Sequence, residues 1–185
     1  MQHRRPFVVF SLPRSRSAWL SVLLGCGHDI ATTIDHPEEF SGRLRDAGGG
    51  SCETGAAFAF PLIRKLMPEA RFAVVRRDPR DVLASLQRLA IRDQQTEVWA
   101  RAAHLDAIAE QPGVLSVEFD ALKRSTACAA LYHHCRREQM PPAWWAKLDG
   151  LNIQIDMAKR IDFLRLRHGR IEALKAEVRA RLADA

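Results

Sequence analysis

The feature that most constrains the fold is a short run, Phe7-Val8-Val9-Phe10-Ser11-Leu12, that leads straight into Pro13-Arg14-Ser15-Arg16-Ser17 and then a second apolar stretch, Ala18 to Cys26. A continuous apolar run of this length, without alternation, has the pattern of a strand covered on both faces, and such strands belong to parallel sheets sandwiched by helices. Ser17 through Leu24 then reads as a helix. Neither Ala18 to Cys26 nor Ala56 to Ile63 reaches the roughly 20 residues that a membrane-spanning helix needs, so no membrane partner is expected. Basic residues ahead of an apolar run look like the start of a secretory leader, but Pro13, Arg14 and Arg16 break the run too early for one.

The strand-then-helix pattern recurs. Arg71 to Arg76 carries Phe72, Ala73, Val74 and Val75; Asp78 then offers an N-cap, Pro79 takes the first helical position, and Val82, Leu86 and Leu89 form the buried stripe of a helix. His28 to Ile34 reads as a short second strand and Val114 to Phe119 as a further one. Helices are expected over Pro37 to Leu44, Gly55 to Met67, Thr96 to Gln111 and Ala121 to Arg137, with a loop at Gly48-Gly49-Gly50. From Met157 onward, Ile161, Leu164, Ile171, Leu174, Val178 and Leu182 are spaced for an amphipathic helix. This alternation predicts an α/β fold in three layers, a central mainly parallel sheet flanked by helices. The 185 residues suit a single domain over 1–185, helical from about 120.

Cys26, Cys52, Cys128 and Cys135 show no CxxC spacing, and a chain of this length needs no disulfides, so a reducing cytoplasm is the expected location. Cys128 and Cys135 share a helix face as buried thiols, while the adjacent His133, His134 and Cys135 point in different directions and make poor joint ligands. No metal site is expected. Of the 28 cationic residues 23 are arginine, giving a net charge of +6. Arginine is the residue that grips phosphate or sulfate with a planar fork of donors. Here it is interleaved with acids and accompanied by no DNA-binding motif, so nucleic acid is not an expected partner.

Two places concentrate anion-binding groups. The first is the turn from Ser11 to Leu20, where a strand feeding a helix aims consecutive backbone N–H groups and the helix dipole at one spot; Arg14, Ser15, Arg16 and Ser17 add side-chain donors. It is not a GxxxxGK[ST] loop, lacking both glycines and the lysine, which disfavours ATP or GTP hydrolysis. The second is Arg77-Asp78-Pro79-Arg80-Asp81-Val82-Leu83-Ala84-Ser85. Arg77 falls at the carboxyl end of its strand and Ser85 two turns into the helix, at the edge where open α/β sheets bind ligands. Two anion sites on one edge imply a ligand with two anionic groups.

FVVFSLPRSRSAWL resembles the 5′-phosphosulfate loop of the sulfotransferase superfamily, written PKSGTTW or PRSGSTxL, although position 16 is Arg where that family commonly has Gly. VVRRDPRDVLASL resembles its 3′-phosphate motif, an Arg followed eight residues later by a Ser, as Arg77 and Ser85 are. The order and separation of the two are similar to those in the small bacterial and phage-type members, and VLSVEF followed by FDAL resembles a later strand and helix of the family. The C-terminal RxGxxGxxK segment of the animal enzymes is absent.

The resemblance implies a P-loop-like fold and 3′-phosphoadenosine 5′-phosphosulfate as donor, bound through Arg14, Ser15, Arg16, Ser17, Ala18, Trp19, Arg77 and Ser85. In it Arg14 and the loop N–H groups suit the leaving 5′-phosphate; Ser15, Arg16 and Ser17 suit the sulfonate. The acceptor is then a hydroxyl or amine of a small molecule or carbohydrate. For the base, His28 and Asp29 lead, with Glu38, Glu39 and Glu53 as alternatives. Two other readings stay open: a non-catalytic P-loop-like protein binding nucleotide or nucleic acid, and a nucleotide or small-molecule kinase, which the missing lysine and glycines disfavour.

Overall fold

The structure is a computed structural model that describes residues 5–28, 37–47, 49–92, 94–149, 151 and 153. These fall in the first of two units, Met1–Ile153 and Gln154–Ala185. The expected tail helix from Met157, and residues 29–34 of the expected second strand, lie outside the described residues.

The described strands are β1 (Phe7–Ser11), β2 (Gly27–His28), β3 (Gly50–Glu53), β4 (Arg71–Arg76) and β5 (Val114–Glu118), in the order β2-β3-β1-β4-β5 with every pairing parallel. The helices are α1 (Ser17–Leu24), α2 (Pro37–Ala47), α3 (Phe60–Leu66), α4 (Pro79–Gln87), α5 (Gln95–Ala109), α6 (Ser125–Arg136) and α7 (Trp144–Asp149). The α/β class with helices on both faces is as the alternation predicts. Among the described residues no helix is long and apolar enough to cross a membrane.

β1 lies at the centre, and all five of its residues are buried. Because side chains alternate along a strand, Val8 and Phe10 pack with residues of α2, α3, α4 and α5, whereas Phe7 and Val9 pack with α1, α6 and α7. Phe10, Phe60 and Phe72 form an aromatic knot on the first side, with Phe60 edge-on to the other two at centroid distances of 5.9 and 5.2 Å. From β1 the chain moves towards β2, and from β4 towards β5, into opposite layers. The carboxyl ends of β1 and β4 therefore flank the point where the winding reverses, the crevice that open α/β sheets offer to ligands.

Four local expectations need correction. Gly50 is not loop but the first residue of β3, a buried strand between β1 and β2. The helix expected from Gly55 begins later, as a 3₁₀ turn at Ala57–Ala59 running into α3. Leu89 is 39% exposed, because α4 ends at Gln87 and Leu89 falls in the turn that follows. The helix expected from Ala121 is instead a 3₁₀ turn, Phe119–Lys123, followed by α6.

Two predictions follow from packing. A Cβ on Gly50 would overlap the buried Phe7 ring, whereas one on Gly55 would meet open space. Gly50→Ala should therefore destabilise by about 1–3 kcal/mol through overpacking, and Gly55→Ala should not, as measured by urea unfolding. His134 holds the Phe72 carbonyl at 2.9 Å through Nε2, and burial pushes its pKa below 6.5, with Arg137, Arg71 and His133 acting in the same direction. A lowered pKa means the folded state prefers the neutral ring. Its contribution is complete above the unfolded pKa and is lost as pH falls through the folded one. The urea midpoint should drop more steeply between pH 7 and 5 in the wild type than in His134→Gln; parallel curves would contradict this.

Candidate anion site at the ends of β1 and β4

The β1–α1 turn has an unusual backbone. Arg14 (φ 65°) and Arg16 (φ 62°) both adopt the left-handed conformation that glycine takes without cost. Non-glycine residues held there cost of order 1–3 kcal/mol each and collect at functional sites. Reversing the backbone hand in this way turns successive N–H groups into a concavity suited to an anion. Arg16 is the N-cap of α1 yet supplies no side-chain cap, so the N–H groups of the first turn have no intrahelical acceptor. Ser15 is fully buried, and its Oγ has no hydrogen-bond partner among the described residues.

The second segment is locked to the first. Asp78 caps α4, its carboxylate accepting from the Arg80 N–H at 2.8 Å, which fixes the start of the helix on which Ser85 sits. The Arg77 guanidinium donates through Nη1 to the Arg14 carbonyl oxygen and stacks 4.1 Å from the Phe119 ring centroid. Arg14 Nε in turn donates to Ser85 Oγ at 3.2 Å. Burial pushes the Arg77 pKa down, opposed by Asp81 and reinforced by Arg14. Its Nε is buried without a partner among the described residues. Arg14, Arg77 and Ser85 are thus brought together into one connected cluster.

The other sequence-derived residues separate. Arg16 lies over the Trp19 indole, 4.9 Å from the ring centroid, in the layer opposite Ser85, with Nη1 buried and unpartnered among the described residues. The Trp19 side chain is core: it is 1% exposed and its Nε1 donates to the Leu148 carbonyl at 2.8 Å, so what it offers the turn is its backbone N–H. Ala18 likewise contributes backbone, and its carbonyl accepts from Ser21 Oγ. Ser17 does more: its Oγ lies 2.8 Å from His28 Nε2, which places the end of β2 directly at the turn.

Glu53, at the end of β3, is 1% exposed and accepts from Ser51 Oγ. Glu39 is exposed on α2, paired with Arg43 at 3.8 Å. Asp29 and the side chain of Glu38 lie outside the described residues.

Beside Arg77 a cleft of about 540 Å³ opens between the ends of β4 and β5 and one face of α5. Trp99, Ala102, Ala103 and Asp106, spaced as one helix face, line it with Leu12 and Arg80. At its rim Arg76 bridges Asp106 at 3.5 Å and Glu118 at 3.4 Å. The sequence reading missed this cleft; the signal was the spacing of Trp99 with the small Ala102 and Ala103 along one face of the helix. Among the described residues no group of three or more His, Cys, Asp or Glu side chains is arranged to hold a metal.

No family model matches the sequence, and no curated protein sequence matches it. Among solved structures, the fold is similar to that of a sulfotransferase from Alicyclobacillus acidocaldarius, with a TM-score of 0.51 and 13% identity over 92% of this chain and 95% of that one. At that identity the likeness shows the fold alone: an all-parallel central sheet flanked by helices.

Proposed function

We propose that the protein is a sulfotransferase-type enzyme that moves a sulfonate from 3′-phosphoadenosine 5′-phosphosulfate to a hydroxyl or amine of a small molecule or carbohydrate. The observation that carries this reading is the tie from Arg77 to the Arg14 carbonyl and from Arg14 to Ser85. It joins two anion-binding segments over sixty residues apart, as a ligand with two anionic groups requires. The fold likeness to a sulfotransferase supports the same class.

In this reading the β1–α1 turn receives the 5′ end of the donor. The N–H groups of Ser17, Ala18 and Trp19, with Ser15 Oγ and Arg14, take up the negative charge that grows on the leaving phosphate. Such preorganised donors dominate transfer chemistry of this kind. Arg77 and Ser85 hold the 3′-phosphate, and the neighbouring cleft has room for more of the ligand. Arg16 contributes through the charge it places near the turn. His28 is the base, held at the turn by Ser17 with Asp29 following it in sequence. Glu53, buried at the next strand end, is the carboxylate alternative.

3′-Phosphoadenosine 5′-phosphate should stabilise the protein, by roughly 2.7 kcal/mol at 100 times its dissociation constant, without magnesium; ATP and DNA should not match it. No thermal shift at millimolar ligand would sink the donor assignment, and strict magnesium dependence would favour a kinase. Arg77→Ala should weaken this bisphosphate far more than adenosine 5′-phosphosulfate, which lacks the 3′ group, since a charge-assisted contact is worth about 1.5–3 kcal/mol. Arg14→Ala should weaken both alike. Equal losses for Arg77→Ala would mean that this arginine acts only by holding the Arg14 carbonyl.

A further inference from the structure

A pair of thiols beside the site has no part in that chemistry. Cys26 Sγ and Cys52 Sγ lie 3.7 Å apart, one thiol donating to the other. Cys26 follows Gly25, the C-cap of α1, and immediately precedes β2. Cys52 lies in β3, in register opposite His28 and one residue before Glu53. The two differ in access: Cys26 is half-buried and Cys52 is completely buried.

We propose that Cys26 and Cys52 are a redox pair that closes to a disulfide under a two-electron oxidant of the peroxide class, and that the cross-link draws His28, the base, away from the β1–α1 turn and so stops transfer. The second half rests on the function proposed above; the first half does not.

The chemistry is that of a peroxidatic and a resolving thiol. The Cys26 thiolate attacks one peroxide oxygen, the O–O bond breaks, and the departing hydroxide takes a proton to become water, leaving a sulfenic acid on Cys26. The Cys52 sulfur then attacks the Cys26 sulfur. The S–S bond forms, the S–O bond breaks, and the hydroxide leaves as water with the Cys52 proton. Two thiols and one peroxide become one disulfide and two waters.

Access sets the order, since a small oxidant reaches Cys26 and not Cys52. The hydrogen bond with Cys26 and burial both push the Cys52 thiol well up, so it carries its proton into the resolving step.

Closure requires the sulfurs to approach by about 1.7 Å, from 3.7 Å to bonding distance near 2 Å. β3 is fixed between two neighbours, whereas among the described residues β2 is an edge strand, paired to it through Gly27 and His28. The movement therefore falls on β2 and takes His28 away from its 2.8 Å contact with Ser17.

The test uses the full-length reduced protein with one equivalent of hydrogen peroxide, thiol alkylation, digestion and mass spectrometry. The expected product links the Cys26 and Cys52 peptides at a mass two hydrogens below their sum and reverts with dithiothreitol. Cys26→Ser should leave Cys52 fully alkylatable, and Cys52→Ser should stop Cys26 at the sulfenic acid with one equivalent and carry it to sulfinic acid with a second. Should Cys52→Ser fail to fold, the wild-type map and Cys26→Ser still decide. The pair is overturned if wild-type Cys52 stays free while Cys26 becomes sulfenic acid, or if Cys26 links to the nearby Cys135 or to a second chain.

For the switch, oxidation should slow sulfonate transfer from 3′-phosphoadenosine 5′-phosphosulfate to a phenol or to water by about tenfold or more, as loss of a base does, with 3′-phosphoadenosine 5′-phosphate binding in a thermal-shift titration nearly unchanged and activity recovered on reduction. Equal turnover by both forms overturns it, and a reduced protein that binds but transfers nothing overturns the enzyme reading and the switch with it. Absence of binding even to the reduced protein refutes the functional reading and the switch together, while the peptide map still decides the thiol chemistry.

Discussion

The hydrogen bond from the Arg77 guanidinium to the Arg14 carbonyl holds the site together. A left-handed residue at the end of a central strand is costly, and the carbonyl it turns outward needs a donor. Arg77 supplies one from the end of the neighbouring strand, and Phe119 supports the guanidinium from below. Because β1 and β4 are paired over five registered positions, the two ends cannot drift apart, so the turn is defined by the sheet and not by its own sequence. The position of Arg14 towards Ser85 follows from this.

What was legible in the sequence was whatever burial on both faces writes into a continuous run. β1 and β4 are such runs, and the strand-to-helix turns after them carry Asp78, Pro79 and the arginines at fixed offsets from the strand ends. Those offsets translate directly into position, which is why Arg14 and the pair Arg77 and Ser85 could be placed at one sheet edge beforehand. β3 was invisible for the opposite reason. Gly50-Ser51-Cys52-Glu53 has no β-branched or aromatic residue, and its strand conformation comes from lying between β1 and β2. The glycine that looked like loop is there because the Phe7 ring lies where a Cβ would be.

Side-chain direction and cross-strand register were beyond reach as well. Nothing local says that Arg14 and Arg16, two residues apart, turn to opposite layers. Nor does the spacing of Cys26 and Cys52 reveal that their sulfurs touch, since that depends on a strand that the sequence did not announce. The buried carboxylate of Glu53 shares the same origin: its burial follows from β3, which registers it opposite Phe10 of β1.

The divergence of the two arginines gives the turn a mechanical property. Arg14 fastens it to α4 on one side of the sheet, while Arg16 rests on Trp19, whose indole is anchored to the backbone of α7 on the other. A five-residue segment is thereby clamped between both helical layers, like a rivet through a laminate. Sliding of either layer along the sheet would strain the turn before it disturbed the strands, so the segment that faces the crevice is also the most sensitive gauge of how the layers are seated.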